Sequence, residues 1–324
     1  MNQAENHNKQ KKQEVFAFVP SYNHAPFIEK CLRSIIKQTL SPTKLLVIDD
    51  GSKDDSPKII ERALKNCPFD AELIARDNRG LCATLNEGYA KSSGEYFAYL
   101  GSDDVWLSEF LENRAGLLDS RPKAVLAYGH AYTIDADDNI IDSSADWANF
   151  PDGDAGPMLE RGFAPFSPTV CYCRKSLEDI RWNEDSRLED YEFYLQLSRK
   201  GEFAFDSQTL AAWRQHESNT SHNWQMMLGE VLAAQKRNAA KLGIEEKQLT
   251  EIQTATKLFY SENLARSGDK AAALDLFLKG LNHIDSPVYA AKSLFRILTP
   301  MPILRRYRQK MQREKAKKYG KIKI

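Results

Sequence analysis

Two adjacent carboxylates, Asp103 and Asp104, follow an aromatic, apolar run at residues 96–100 that Gly101-Ser102 brings to an end. Such a run suits a strand and a Gly-Ser pair breaks one, so the carboxylates stand where a strand stops. That edge of an open α/β sheet is where ligands bind. Adjacent carboxylates repel, and a divalent cation or a ring of hydrogen-bond donors relieves the repulsion. Taken alone, an acidic turn has the same composition. Two further pairs favour chemistry: Asp49-Asp50 closes the apolar residues 44–48, and Glu189-Asp190 precedes Tyr191, Phe193, Tyr194, Leu195 and Leu197. The spacing of those five predicts a helix with the carboxylates at its N-terminus, where the dipole favours negative charge.

The elements that would position these groups follow in order. Residues 15–19 are a β-branched and aromatic run closed by Pro20-Ser21-Tyr22-Asn23-His24, and Phe27, Ile28, Cys31, Leu32, Ile35 and Ile36 then share one helical face. Residues 44–48 predict a second strand, and Ser56-Pro57 a helix start. Residues 71–75 predict a third strand, Asn78-Arg79-Gly80 opens a helix carrying Leu81, Leu85 and Tyr89, and residues 96–100 complete a βαβαβαβ series. That alternation implies a parallel sheet with right-handed crossovers, whose strand ends gather the polar clusters on one edge. The first loop lacks the glycine-rich dinucleotide fingerprint, and there is no Walker-type loop. Further on, residues 124–132, 166–173 and 211–216 read as strands and residues 135–154 as an acidic loop; Trp106 and Trp182 read as core. From Trp224 the pattern is helical, over residues 226–242, 247–265 and 270–281. Residues 258–281 resemble a single tetratricopeptide-type hairpin, which must bury its face on the first unit or on a partner.

At 324 residues, the chain suggests roughly two domains. Its net charge is zero, but residues 301–324 hold ten basic residues against Glu314 alone. Cys31, Cys67, Cys82, Cys171 and Cys173 are scattered without zinc-site spacing and read as reduced thiols in a cytosolic protein. Residues 1–14 form a polar, flexible leader with no signal-peptide core, and no run approaches the ~20 apolar residues that span a bilayer. Asn219-Thr220-Ser221 matches a glycosylation acceptor pattern, which carries no meaning in a chain that is not exported.

Val19-Pro20-Ser21-Tyr22-Asn23, Val47-Ile48-Asp49-Asp50-Gly51-Ser52, Asn78-Arg79-Gly80, Asn86-x-Gly88, Gly94-Glu95-Tyr96 and Ser102-Asp103-Asp104 occur in that order. Together they resemble family-2 glycosyltransferases of the GT-A fold, over roughly residues 15–223; Glu189-Asp190 and Arg214-x-His216 are similar to later motifs of the family. The resemblance implies a Rossmann-like, mostly parallel sheet flanked by helices, a nucleotide-sugar donor, Mn²⁺ or Mg²⁺, and inversion at the anomeric carbon. It assigns Asp50 to the donor base, Pro20, Tyr22 and Asp49 to the base pocket, and Asp103 and Asp104 to metal and ribose, with Asp104 favoured as the ligand. His216 joins the metal shell, Asn78 and Arg79 lie beside the donor, and Asp190 is the base, with Glu189 in reserve; Arg214 meets diphosphate or pairs with a nearby carboxylate, and Arg76 and Arg79 suit phosphate contact by their bidentate guanidinium groups. Gly101 stands where many members carry an aspartate.

The expected divisions are therefore a leader (1–14), the glycosyltransferase domain (15–223), a helical module (224–283) and an amphipathic basic tail (284–324). The tail mixes Leu294, Phe295, Ile297, Leu298, Ile303 and Leu304 with arginines, a composition suited to anionic lipid and less so to nucleic acid, which needs a binding fold. The expected setting is cytoplasmic, at the inner face of the membrane, with a saccharide or lipid-linked acceptor in bacterial polysaccharide, lipopolysaccharide or glycoconjugate assembly. The rival from another class is a non-catalytic sugar-nucleotide-binding scaffold that recruits partners through its helices.

Overall fold

A computed structural model describes residues 13–324 except 218, 220, 221 and 285. The expected leader therefore lies almost wholly outside the described residues. β1 (Val15–Ser21), α1 (Ile28–Ile36), β2 (Lys44–Asp49), α2 (Ser56–Leu64), β3 (Asp70–Ala75), α3 (Leu81–Ala90) and β4 (Tyr96–Tyr99) alternate as the sequence implies. Then come β5 (Val105–Trp106), α4 (Phe110–Ser120), β6 (Ala124–Ile134), β7 (Ile140–Ser143), α5 (Gly156–Glu160), β8 (Cys171–Cys173), α6 (Glu189–Leu197) and β9 (Glu202–Arg214). Helices α7 (Trp224–Asn238), α8 (Glu246–Ser267), α9 (Lys270–Gly280), α10 (Pro287–Leu298) and α11 (Met301–Tyr319) complete the chain.

One sheet runs β3-β2-β1-β4-β8-β6-β9-β5, with β7 on β6. Its first four strands are parallel; β8 is antiparallel to both β4 and β6, and β9 is parallel to β6. β9 therefore points the same way as β1, β2 and β4, and all four end on one edge.

Strand alternation builds a core on each face. Phe16, Phe18, Leu46 and Phe97 pack with Leu85, Tyr89, Trp182 and Tyr191, whereas Val15, Ala17, Val19, Val47 and Ala98 pack with Ile28, Leu32, Ile60 and Phe110. Each of these large side chains contributes about 1.5–3 kcal/mol on burial. Gly88 lets α3 close onto β1, since a Cβ there would lie 2.5 Å from the Phe18 ring. Trp182 stacks on Phe193 and Trp106 on Phe110, so both tryptophans belong to the core.

Two local expectations are corrected, and the tail gains a structure. The region 135–154 contains β7 and a 3₁₀ turn in addition to loop. The strand expected over 166–173 shrinks to Cys171–Cys173, because Ser167–Thr169 coil into a 3₁₀ turn around Pro168, whose carbonyl accepts the Trp106 indole N–H. The basic tail is helical, and its last residues return to the sheet: Ile140 donates to the Gly320 carbonyl, Ile322 donates to that of Asp138, and Ile322 packs with Val105, Ile134 and Ile140.

The helical extension is anchored on the sheet unit. Gln235 donates to the Tyr191 hydroxyl, and Arg237 and Asn238 donate to Glu192 at the start of α6. Leu258, Leu264, Phe277 and Ile297 form the extension's own core, with Trp224 of α7 packed against it.

Candidate active site

The exits of β1 and β2 are laced together. Asp49 accepts the backbone N–H (2.9 Å) and hydroxyl (2.6 Å) of Ser52, and the Asn23 N–H donates to the Ser52 hydroxyl at 2.8 Å. The Asn23 side chain in turn accepts the Lys53 N–H at 2.7 Å. Gly51 adopts φ +81°, and a Cβ there would sit 2.7 Å from the Asn78 nitrogen, so only glycine fits. Asp50 accepts the Arg79 and Gly80 N–H groups at 2.8 Å each, together with the Arg76 guanidinium. Its carboxylate thus orders the turn that starts α3. Arg76, read as a phosphate contact, is turned inward to Asp50 and Glu87, while Tyr22, Asn78 and Arg79 are exposed on the rim and Pro20 is buried in β1.

Beyond the ends of β1, β4 and β9, three side chains converge. His24, Asp103 and His216 each offer a ligand atom, and these atoms lie within 4.8 Å of one another. His216 Nε2 is 3.0 Å from Asp103 Oδ2, and His24 Nδ1 is 3.8 Å from Oδ1. The Ser102 hydroxyl lies 2.7 Å from His24 Nδ1, and Asn219 donates to Asp103 at 3.3 Å. Burial lowers the His24 pKa and favours the neutral, ligating imidazole; the nearby Asp103 charge offsets this in part. Asp103 is partly buried, but the His216 hydrogen bond and the His24 charge outweigh that and hold its carboxylate below the usual range.

Asp104 is turned away from the cluster, and Arg214 takes the second of its two expected roles, pairing with a carboxylate. Asp104 is buried and accepts the Arg214 backbone N–H at 2.8 Å; burial and the Asp103 charge push its pKa well up. It stands outside the three-residue cluster, which Asp103 joins. Arg214 is only 1% exposed and donates to the Asp103 and Asp135 carbonyls, pairs with Asp138 and lies over the Phe27 ring. A guanidinium so enclosed holds the Asp103-Asp104 turn in shape and is not presented to a diphosphate.

His24 and Asn219 were not singled out by sequence reasoning. The only sign of His24 was its place at the exit of β1. In the sequence Asn219 stands only within the Asn-x-Ser pattern.

Glu189 and Asp190 occupy the first turn of α6 and are half-buried. Their neighbour Glu192 is neutralised by Arg237, but among the described residues no cation pairs with Glu189 or Asp190. Burial raises Asp190 to about 6, and burial plus the Asp190 charge raises Glu189 further. Asp103 also acts on Glu189, and Glu189 on Asp104, so the carboxylates share one electrostatic site. The segment leading to α6 is fixed by Asn86, whose amide donates to the Trp182 carbonyl at 2.9 Å and accepts the Trp182 N–H at 3.0 Å.

A family model for glycosyl transferase family 2 matches residues 16–216. An uncharacterized glycosyltransferase of Nostoc sp. is 28% identical over 171 residues, which is 52% of this chain and 53% of that protein; the chain thus spans about half the length of this relative. The fold is similar to that of the Pyrobaculum calidifontis mannosyltransferase PcManGT, solved with GDP-Man and Mn²⁺ (TM-score 0.60, 17% identity, 95% of this chain and 87% of that one). It is also similar to that of S. aureus TarS 1-349, solved with UDP-GlcNAc (TM-score 0.54, 16% identity, 92% of each chain). With the family match covering well over half of its length on a GT-A-like sheet, the chain belongs to glycosyl transferase family 2.

Proposed function

We propose that the protein is an inverting, metal-dependent glycosyltransferase that moves one sugar from a nucleotide-sugar, a UDP-sugar first, to a hydroxyl of a saccharide or lipid-linked acceptor. The setting is bacterial polysaccharide, lipopolysaccharide or glycoconjugate assembly at the inner face of the cytoplasmic membrane. The observation that carries this reading is the electrostatic proximity of the His24–Asp103–His216 cluster to Glu189, which stands beside Asp190 at the start of α6, both without a cation partner among the described residues. PcManGT with GDP-Man and Mn²⁺ and TarS with UDP-GlcNAc support a nucleotide-sugar donor.

Two imidazoles and one carboxylate fit a divalent transition ion, and the donor set favours Mn²⁺ over the all-oxygen preference of Mg²⁺. When bound, such an ion neutralises the charge that develops on the departing nucleoside diphosphate. The chain does the rest. Asp49 and Asp50 hold the pocket's turns, Tyr22 and Arg79 line its open rim, and Arg214 fixes the Asp103 backbone. Asp190 takes the proton of the acceptor hydroxyl as that oxygen attacks the anomeric carbon, and Glu189, held protonated by the same burial, adds no second negative charge. Attack opposite the leaving group inverts the anomeric configuration, which proton NMR of the product reads directly. Asp190→Asn should lower kcat by about 10²- to 10⁴-fold with donor binding kept; unchanged turnover would remove Asp190 from the role of base.

A further inference from the structure

Residues 278–307 hold eight of the twelve large apolar side chains that are exposed among the described residues. On α10, Val288, Phe295 and Leu298 are 63%, 75% and 64% exposed; on α11, Ile303 and Tyr307 are 56% and 64% exposed. These are not stray surface residues. α10 turns Ser293 and Ile297 inward, and α11 buries no residue of its own, so the two helices present an apolar ridge outward. Large apolar side chains exposed in this number on two successive helices mark an interaction site.

The charge beside the ridge selects the partner. Residues 301–324 carry ten basic residues and one acidic residue, and Arg305 and Arg306, which lie between Ile303 and Tyr307, are exposed and pair with no carboxylate among the described residues. Apolar side chains next to a one-sided basic array match a surface that is hydrocarbon below and anionic above. No helix among the described residues is long and apolar enough to cross a membrane, so contact along the surface is the mode left to these helices.

From this we infer that α10 and α11 seat the protein on an anionic lipid bilayer, with Phe295, Leu298, Ile303 and Tyr307 entering the headgroup boundary and the arginines meeting lipid phosphates. The seat is rigidly joined to the sheet. Lys315 and Lys318 pair with Asp146, and Ile322 is buried beside β7. Lipid contact therefore orients the strand ends that carry Asp103 and His216. The inference stands apart from the transferase reading, because it concerns a different surface and is read by binding alone.

The test is sedimentation of the full chain with phosphatidylcholine vesicles, with and without phosphatidylglycerol, at low and high NaCl. The wild type should pellet with phosphatidylglycerol vesicles, and salt should release it. Phe295→Ser with Leu298→Ser, and separately Arg305→Glu with Arg306→Glu, should each weaken binding about tenfold or more while thermal unfolding is unchanged. A wild type that stays in the supernatant with phosphatidylglycerol overturns the inference, as do apolar variants that bind like wild type. So does an ultracentrifuge profile showing a dimer that Phe295→Ser dissociates, since a second copy would then cover the ridge.

Discussion

At the residue scale, the site depends on which atoms of adjacent carboxylates are already occupied. Asp103 and Asp104 are neighbours in sequence, yet one faces two imidazoles and the other is filled by a backbone N–H. Gly101 fits this arrangement: a Cβ there would lie 3.0 Å from an oxygen of each carboxylate, and an aspartate would bring a third negative charge. Asn219→Ala should therefore weaken Mn²⁺ binding by about 10- to 100-fold, since it removes a donor that orients Asp103. His24→Ala should weaken it more; titration calorimetry distinguishes the two. The pH dependence follows from Asp190. Burial raises it to about 6 and a base works only when deprotonated, so kcat should fall as pH drops through about 6 and level off above. A pH–rate profile flat from 5 to 8 would contradict this. The carboxylates were legible in sequence because acidic pairs at strand and helix ends carry an electrostatic cost that ligands relieve. His24 was not, because one histidine in a polar loop shows nothing of the strands that bring it to Asp103 and His216.

At the element scale, the sheet positions the site through close approaches. Strand and helix periods revealed the first seven elements almost to their boundaries. They failed where tertiary contact decides: residues 167–169 coil because Trp106 takes the Pro168 carbonyl, and β7 exists because β6 and the returning residues 320–322 pair on either side of it. Trp106 and residues 320–322 both lie far from these segments in sequence. The Asn86-x-Gly88 motif gains a physical reading from the same contacts. Gly88→Ala should cost about 1–3 kcal/mol by driving Phe18 from its place, measurable as a lowered urea midpoint. Asn86→Ala should cost a similar amount, about 1–3 kcal/mol, and also lower kcat, because the Trp182 segment it holds leads to Asp190.

For the whole molecule, the last residues and the catalytic strand ends form one continuous structure. Ile322 donates to the carbonyl of Asp138, Asp138 pairs with Arg214 at 2.8 Å, and Arg214 donates to the Asp103 carbonyl at 2.7 Å. Ile322→Ala should cost about 2–4 kcal/mol as an inward-facing isoleucine is cut back. It should also weaken Mn²⁺ binding, whereas an equally destabilising change at Phe277, within the helical core, should leave Mn²⁺ affinity unaltered. Composition showed that the tail was basic and apolar. It could not show the tail pairing with β7, since residues 139 and 321 are far apart in the chain.

The most direct test of the central claim is calorimetric binding of a panel of UDP- and GDP-sugars in Mn²⁺, Mg²⁺ or EDTA, repeated with Asp103→Ala and Asp190→Asn. One donor should bind tightly with Mn²⁺, more weakly with Mg²⁺ and not in EDTA. Asp103→Ala should abolish this binding, and Asp190→Asn should retain it without turnover. Donor binding that persists in EDTA and in Asp103→Ala would contradict a metal site at His24, Asp103 and His216 and would favour a sugar-nucleotide-binding scaffold.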